Sequence, residues 1–293
     1  MKITNNHNLP DVVVQALTHD TYSKGRSNRS VTQLIDSPRI GVLYRQNEQH
    51  IEKDAVEFLW TRLGTSVHDI FEQAVKDKEN VASEERIFVK FHDWIISGAI
   101  DLQETTPDGI DISDYKVTSV WSVIFGKEEW HNQLNAYSWL VRHGKAAPVN
   151  KLSIICVMRD WQRRKAQEDS NYPQSPVEVI PIPRWPDEEQ DEYMLKRIEL
   201  HQEAEMRHAM GDTLPFCSDK ERWKRDDKFA VKKKNVQRAT KVFDYLEDAE
   251  SFVEKNSNGI KYFVEHRKGE PTRCVQDWCK VSQFCDQFNG ESE

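Results

Sequence analysis

Two aspartates and a lysine in the middle of the chain are residue types that can hold a divalent metal ion beside a phosphate. Asp101 precedes Asp114 by thirteen residues, and Lys116 follows Asp114 by two. Cleavage of a phosphodiester requires neutralisation of the phosphoryl charge and a hydroxide near neutral pH, and one or two Mg²⁺ ions supply both. Mg²⁺ prefers hard oxygen ligands from carboxylates, water and phosphate. The three residues therefore predict a metal-dependent phosphodiester hydrolase.

Two predicted strands position these side chains. Residues 94–102 and 110–116 have the composition of β-strands, and Pro107, Asp108 and Gly109 between them are typical of a turn. A hairpin of two such strands would bring the two carboxylates within a few ångströms of each other. Because side chains alternate along a strand, the second aspartate and the lysine point to the same face. There the lysine can orient the attacking water or stabilise charge on the scissile phosphate.

Neighbouring backbone positions could also contribute. Gly98 would let a substrate approach the main chain. The side chain of Tyr115 points away from that of Lys116, but its carbonyl oxygen can face the metal. The alternative interpretation is that Asp114 and Lys116 form a surface ion pair and that Asp101 is a turn residue.

The surrounding segments predict an alternation of helices and strands. Apolar residues at three- and four-residue spacing predict one long amphipathic helix over residues 51–78, which carries His68. Residues 86–91 alternate between apolar and polar and predict the first strand of the core. Residues 128–141 predict a second helix, and the apolar run 152–158 predicts a buried strand. This order is typical of an α/β core.

These motifs resemble those of the PD-(D/E)XK nuclease superfamily, in its RecB-like branch of AddAB-type helicase-nucleases, CRISPR-adaptation nucleases and phage exonucleases. The family pattern is a helix histidine, a Gly-x-x-Asp strand, an Asp/Glu-x-Lys strand and a helix with Gln-x-x-x-Tyr. In this chain the matching residues, in order, are His68, Gly98 with Asp101, Asp114 with Lys116, and Gln133 with Tyr137. The resemblance covers about residues 30–160.

The resemblance implies a restriction-endonuclease-like core, a mixed β-sheet flanked by helices, with a cysteine-rich helical C-terminal extension. The residues that it implies as ligands of Mg²⁺ or Mn²⁺ are His68, Asp101 and Asp114. Imidazole suits Mn²⁺ better than Mg²⁺, so Mn²⁺ should support activity. Lys116 would be the catalytic lysine, and Gln133 and Tyr137 would contact DNA or brace the site.

The implied function is a divalent-metal-dependent deoxyribonuclease, an exonuclease that processes DNA ends for recombination or repair. Tail segments are similar to those of phage-encoded exonucleases, which implies end resection and a single-strand annealing protein as a partner. Two alternatives stay open. One is a non-catalytic nucleic-acid-binding protein on a degenerate nuclease fold, and the other is a cysteine-metal redox or regulatory protein.

Four of the five cysteines lie in the last third of the chain. Cys217 is distant from Cys274, Cys279 and Cys285, which have a C-x4-C-x5-C spacing, whereas Cys156 falls in the buried strand and is expected in the core. Four thiolates suit a [4Fe–4S] cluster or a tetrahedral Zn²⁺, and ordinary reduced thiols are the alternative. The grouping is similar to that of the iron–sulfur nucleases of the branch. In several of those relatives the distant cysteine precedes the nuclease motifs instead.

Two basic stretches are candidates for DNA contact despite a formal net charge of −8. One follows the predicted buried strand, and the other, with aromatic residues interleaved, follows Cys217 and suits a phosphate-tracking surface. A solvated lysine-rich helix is the alternative for the second. The candidate DNA-binding residues are Arg163, Arg164, Lys224, Arg225, Lys232 and Lys233.

The chain is predicted to contain three parts: a loosely structured segment 1–30, a nuclease core 31–160, and a helical extension 161–293 with the cysteine tail. Within the extension, residues 187–210 predict a solvated helix because few of them are apolar. No apolar run reaches about eighteen residues, so no membrane span is expected. Without a signal pattern at the N-terminus, a cytoplasmic location and reduced or metal-bound cysteines are expected.

Overall fold

The computed structural model describes residues 1–19, 23, 25–256 and 261–290. The helices are α1 Asp11–Thr18, α2 Val31–Leu34, α3 Pro38–Asn47, α4 Leu59–Val75, α5 Val120–Phe125, α6 Glu128–Lys145, α7 Arg163–Glu168, α8 Asp187–Met210, α9 Leu246–Asn256, α10 Thr272–Val275 and α11 Asp286–Asn289. The strands are β1 Lys2–Thr4, β2 Arg29–Ser30, β3 Glu52–Asp54, β4 Val81–Phe91, β5 Trp94–Thr106, β6 Gly109–Thr118, β7 Val149–Met158, β8 Val177–Ile182, β9 Lys228–Lys233, β10 Lys241–Phe243 and β11 Tyr262–Arg267.

The chain divides into two compact units. Unit 1 comprises residues 1–38 and 48–213, and unit 2 comprises residues 39–47 and 214–293. Helix α3 therefore belongs to the same unit as the cysteine-rich tail, although it lies near the start of the sequence. Among the described residues, no helix combines the length and the apolar character that crossing a membrane requires.

Unit 1 is built on a mixed sheet with strand order β2-β5-β6-β7-β8, in which β4 also pairs with β5. The pairs β4–β5, β5–β6 and β7–β8 are antiparallel, whereas β2–β5 and β6–β7 are parallel. Two parallel strands need a crossover connection, and here α5 and α6 supply it between β6 and β7. The structure thus confirms the predicted core of a mixed sheet flanked by helices.

The hairpin of β5 and β6 forms where the sequence predicts it. Pro107 and Asp108 connect the strands, and Gly109 begins β6 with φ +132°, a backbone conformation that side chains rarely adopt. A Cβ at Gly109 would also lie 2.8 Å from the carbonyl oxygen of Pro148. A glycine is therefore required at this position, and it sets the register of the two strands.

Helix α6 packs on the sheet and supplies more buried residues of the core cluster than any other element. Its side chains Leu134, Trp139 and Leu140 are fully buried among strand residues such as Ile100 and Ile154. Burial of each large apolar side chain stabilises the fold by about 1.5–3 kcal/mol. The strands and α6 are thereby fixed relative to each other, so residues on them can form a rigid site.

Helix α8 has the predicted bounds but is not fully solvated. Met194, Ile198 and His201, spaced by four and three residues, are buried along one face. His201 and Arg197 donate hydrogen bonds to the carbonyl oxygens of Leu34 and Asp36. A narrow buried stripe is therefore enough to dock this charged helix. The sequence did not predict the stripe because few residues of the helix are apolar.

The predicted helix over residues 51–78 begins later than expected. Residues 52–54 form β3, which pairs in parallel with β1, and α4 starts only at Leu59. Asp54 ends β3 and caps the short 3-10 helix Ala55–Phe58 by accepting a hydrogen bond from the Val56 N–H. Long-range strand pairing overrides the local helical spacing here.

The extension after residue 160 contains strands as well as the predicted helices. The alternating sequence of β8 pairs with the edge of β7, and β9, β10 and β11 form a separate antiparallel sheet in unit 2. The stretch 228–233 is therefore a strand and not a lysine-rich helix. Within residues 1–30, the described part includes β1, α1 and β2.

Candidate active site

Three acidic residues lie in one row across β4, β5 and β6. Ser83 pairs with Leu102, and Glu85 pairs with Ile100, so Glu84 falls opposite Asp101. On the other edge of β5, the ladder with β6 ends at the pair Leu102–Ser113, and the next position places Asp114 opposite Asp101. Directly opposite residues on antiparallel strands share a face. Strand register thus gathers the carboxylates.

The ladder between β5 and β6 opens at this row, and Asp101 occupies the opening. Its Oδ2 atom accepts a hydrogen bond of 2.8 Å from the backbone N–H of Tyr115. That N–H would otherwise lack a partner once the strands separate. Asp101 therefore both holds the strands at the opening and presents a carboxylate there.

Helix α4 brings a histidine to the same point. His68 Nδ1 donates a hydrogen bond of 2.9 Å to Glu84 Oε1 and lies 3.7 Å from Asp101 Oδ2. One ligand atom from each of these three residues lies within 4.8 Å of the other two. An imidazole nitrogen and two carboxylate oxygens at such separations could hold a divalent ion.

Sequence reasoning missed Glu84. It has φ +52°, which a non-glycine residue rarely adopts, and such strained positions cluster at functional sites. Its neighbour Glu85 instead accepts hydrogen bonds from Gln103 and Lys145. No sequence signal separates the two glutamates, because the backbone twist at residue 84 decides which one faces His68.

Asp114 is held by two other elements of the core. Its Oδ1 accepts a hydrogen bond of 2.9 Å from Gln133 Nε2, and its Oδ2 lies 2.5 Å from Lys116 Nζ. Gln133 Nε2 also lies 3.0 Å from the Tyr137 hydroxyl. The Oδ2 atom is buried and forms the ion pair with Lys116, so a metal ion bound at Asp114 would lie beside the ammonium group. Asp114 itself lies outside the group formed by His68, Glu84 and Asp101.

Gly98 serves the packing of α6. A Cβ at this position would lie 2.7 Å from Tyr137 Cε1 and 2.7 Å from Leu140 Cδ1. The glycine therefore lets Tyr137, and with it Gln133, come close to the sheet. Gly98 also lines the cleft that contains the carboxylates, and approach of a substrate to its backbone stays a prediction.

Tyr115 faces α4, on the side opposite to Lys116, as strand alternation predicts. Its ring stacks on Phe71 with centroids 4.5 Å apart and meets His68 edge-on at 5.5 Å. These contacts orient the imidazole. The use of the Tyr115 carbonyl oxygen as a metal ligand stays a prediction.

The electrostatics of the row favour a cation. Burial and the charge of Asp114 raise the pKa of Asp101 to about 8, against the opposing effect of His68. Burial would lower the pKa of His68, but the hydrogen bond to Glu84 and the charges of the carboxylates outweigh it and raise the pKa to about 9. Burial likewise opposes the charge on Lys116, yet Asp114 keeps its pKa above the usual value. A divalent ion would relieve the repulsion among the carboxylates.

The row opens into a cleft of about 550 Å³. Both faces of the sheet contribute to its walls: α4 provides Thr61, Arg62 and Thr65, and α6 provides Gln133 and Tyr137. The carboxylates and the lysine also line it, so a substrate phosphate could reach them. The arrangement is suited to metal-assisted hydrolysis with a fixed ammonium group beside the metal.

The candidate DNA-binding residues occupy separate places. Arg163 and Arg164 are exposed on α7 of unit 1, and Arg164 pairs with Glu168. In unit 2, Lys224 pairs with Asp219, Lys232 pairs with Glu265, and Lys233 lies over the ring of Tyr262. Arg225 donates its backbone N–H to the Glu270 carbonyl oxygen. Their contact with DNA stays a prediction.

Unit 2 brings the four tail cysteines to one small cavity. Cys217, Cys274, Cys279 and Cys285 line it. All five cysteines belong to the described residues and are free thiols, and Cys156 lies in the core of unit 1 as expected. The cavity has a volume of about 10 Å³, which is the room of about one water molecule.

Polar contacts fix the cysteines around this cavity. The Gln287 side chain accepts a hydrogen bond from the Cys217 N–H and donates one to its carbonyl oxygen, which ties the distant cysteine to α11. The buried Arg39 of α3 donates from Nε to the Cys285 sulfur at 3.3 Å. Burial and the neighbouring Cys279 and Cys285 raise the pKa of Cys274. A bound cation would relieve this repulsion between thiolates.

The fold and the carboxylate–lysine site together define a class of metal-dependent nucleases. The sequence model of the PD-(D/E)XK nuclease superfamily matches residues 45–286, and the chain belongs to this superfamily. Members of the superfamily are generally metal-dependent nucleases, so a nucleic acid substrate and divalent metals such as Mg²⁺ or Mn²⁺ follow from membership.

Other comparisons add less. No curated protein matches the chain. The solved crystal structure of SSO0001 is similar to 64% of this chain and 82% of its own chain, with 16% identity and a TM-score of 0.41. A similarity at this level defines neither the substrate nor the reaction.

Replacement of Glu84 by glutamine should weaken Mn²⁺ binding about tenfold or more, because the residue either binds the ion or orients His68. Glu85→Gln is the matched control, since the adjacent carboxylate bonds to Gln103 and Lys145. Isothermal titration calorimetry measures both affinities. Equal Mn²⁺ affinities for the two variants would show that Glu84 is not part of the metal site.

Binding of Mn²⁺ should strengthen as the pH rises from about 6 to about 9. The metal needs neutral His68 and ionised Asp101, whose pKa values of about 9 and about 8 mean that protons compete below this range. Calorimetry in buffers of different ionisation enthalpy should detect protons released at pH 7. An affinity that stays constant over this range would contradict the competition.

Proposed function

We propose that the protein is a divalent-metal-dependent deoxyribonuclease that acts as an exonuclease on DNA ends. The observation that carries the proposal is the presence of Asp101, Asp114 and Lys116 in one cleft, beside His68 and Glu84. Superfamily membership supports hydrolysis of a nucleic acid. Action on DNA ends, for recombination or repair, is the finer part of the proposal and follows the resemblance to phage and AddAB-type nucleases.

Each residue of the cleft has a proposed role. Asp101 and Asp114, with His68 and Glu84, hold one or two Mg²⁺ or Mn²⁺ ions, which supply a hydroxide and neutralise the phosphate. Lys116, held at 2.5 Å from Asp114, orients the attacking water or stabilises the developing charge. The remaining two residues, Gln133 and Tyr137, brace the carboxylate of Asp114.

We further propose that the four tail cysteines bind a [4Fe–4S] cluster, with Zn²⁺ as the alternative. A tetrahedral Zn²⁺ site with Zn–S bonds of about 2.3 Å requires sulfurs about 3.8 Å apart. Among the described residues, no three cysteine sulfurs lie within 4.8 Å of one another, so the sulfurs stand farther apart than a tetrahedral Zn²⁺ site requires. The narrow cavity means that the tail loops must move outward to admit it.

Charge compensation also supports a cluster in unit 2. Four thiolates around a [4Fe–4S]²⁺ core carry net negative charge. Arg39, Arg222 and Arg273 line the cavity together with Glu221. Arg39 and Arg222 also pair with Asp286 and Asp219, so the arginines offset part of that charge. The cluster would be structural and would hold the C-terminal segment together, since this segment has few apolar side chains of its own.

Nuclease activity should depend on the carboxylate–lysine set. Asp114→Asn and Lys116→Ala should each lower cleavage of linear duplex DNA in Mn²⁺ by about a hundredfold or more, because the first removes an anionic metal ligand and the second removes the cation beside the developing phosphorane. Asp111→Asn is the control on the same strand, since Asp111 hydrogen-bonds to Asn150.

End-labelled linear DNA and closed circular DNA, followed by gel electrophoresis, measure both activity and its type. Selective degradation of the linear substrate is expected. Cutting of circles would exclude a strict exonuclease. Full activity of both active-site variants would refute the site, and divalent-independent binding without any cleavage would identify a degenerate, non-catalytic member of the superfamily.

Metal content should depend on the tail cysteines. Anaerobically purified protein should contain about four iron and four sulfide ions per chain. Cys274→Ser and Cys285→Ser should lose most of them, whereas Cys156→Ala should retain them because that thiol lies in the core. Iron, sulfide and zinc analysis measures the outcome. Zinc in place of iron would support the Zn²⁺ site. The absence of both metals would indicate that the cysteines are ordinary reduced thiols.

A further inference from the structure

Exposed aromatic rings lie on α4 and α5 of unit 1, and α4 also lines the cleft. Trp60, Trp121 and Phe125 are 53%, 57% and 78% exposed, and we refer to these three residues as the aromatic platform. Trp60 precedes Thr61 and Arg62 of α4, which line the cleft. The other two rings lie on α5, which begins two residues after the end of β6. Large apolar side chains so open to water mark an interaction surface.

Helix α5 is oriented so that these two rings stay outside the protein core. Val120 and Val123 pack with Met158, Tyr172, Trp161 and Ala166 in a small core cluster. The opposite face therefore presents Trp121 and Phe125, one turn apart. Their rings are 5.8 Å apart and nearly parallel, at 14°. The packing of α5 through its valines thus explains why the two rings are exposed, and the rings contribute little to the packing of the helix.

Positive charge surrounds the aromatic platform. The guanidinium of Arg159 lies 4.5 Å from the centroid of the Trp60 ring. The backbone N–H of Arg159 donates a hydrogen bond to the Thr118 carbonyl oxygen, which places Arg159 beside the end of β6. Residues 159–165 contain three arginines and one lysine against the single acid Asp160. The last three of these residues begin α7, which packs through Ala166 on the same small cluster as α5. Arg159 thus places a cation beside Trp60, and the basic stretch shares a core cluster with the helix that carries the other two rings.

We propose that the aromatic platform receives single-stranded DNA at the entrance of the cleft, with the bases on the rings and the phosphates on the neighbouring arginines. This proposal rests on the proposed nuclease function and specifies that one separated strand of the DNA end enters the cleft. Aromatic rings can stack only on bases that are free of their neighbours, which a duplex does not offer. Arginine side chains beside the rings complement the phosphate backbone.

The test uses the full-length protein in EDTA, so that binding is measured without hydrolysis. The probes are a fluorescein-labelled oligothymidylate of about twenty nucleotides, longer than the sites of common single-strand binders, and a labelled blunt duplex hairpin. Fluorescence anisotropy gives the two affinities. The variants are Trp121→Ala combined with Phe125→Ala, the conservative Trp121→Phe, and Tyr245→Ala, a 71% exposed aromatic of unit 2, as the matched control.

The double variant should weaken oligothymidylate binding about tenfold or more, the loss expected for removal of base stacking. Its affinity for the duplex hairpin should be unchanged, and Tyr245→Ala should bind as the parent does. Trp121→Phe keeps an aromatic ring and should lose less affinity than the double variant. Thermal unfolding followed by circular dichroism should give the parent's midpoint for each variant, since the side chains are exposed.

Three results would overturn the proposal: no oligothymidylate binding by the parent, an undiminished affinity of the double variant, or an equal loss for the single strand and the duplex. The last would indicate a backbone-binding or duplex-binding surface. The selective loss in EDTA can occur even if the cleavage assay shows no hydrolysis. The substrate-binding proposal and the nuclease proposal can therefore fail separately.

Discussion

Repulsion among carboxylates in one buried row is the interaction on which the site depends. Glu84, Asp101 and Asp114 lie on three adjacent strands, and the last two are almost completely buried. Such charges are unfavourable in a protein interior unless they are compensated. His68 and Lys116 compensate them in part, while burial and the charge of Asp114 raise the pKa of Asp101. A divalent cation would compensate the negative charge that His68 and Lys116 leave.

The backbone is arranged to sustain this unfavourable row. The β5–β6 ladder opens at Asp101, whose carboxylate takes over the hydrogen bond of the released Tyr115 N–H. Gly98 admits α6 so closely that Gln133 can reach Asp114. Rigid packing of α6 on the sheet holds these contacts in place. The fold therefore maintains the acidic side chains in position before any ligand arrives, which limits reorganisation during a reaction.

Unit 2 shows the same physical pattern with softer ligands. Its four cysteines line one cavity, and burial together with the neighbouring Cys279 and Cys285 raises the pKa of Cys274. Arg39, buried beside Cys285, supplies permanent positive charge. In both units, side chains that would repel each other are gathered where a metal ion or cluster would stabilise them.

The sequence by itself determined the core strands, α6, and the common face of Asp114 and Lys116, because these follow from local periodicity. Only the tertiary structure decided that Glu84, and not Glu85, faces His68, since a positive φ at residue 84 turns the side chain. It also decided the late start of α4, where β3 pairs with the distant β1. Local patterns indicate which faces are apolar, but strand pairing and backbone strain arise from contacts between residues far apart in the chain.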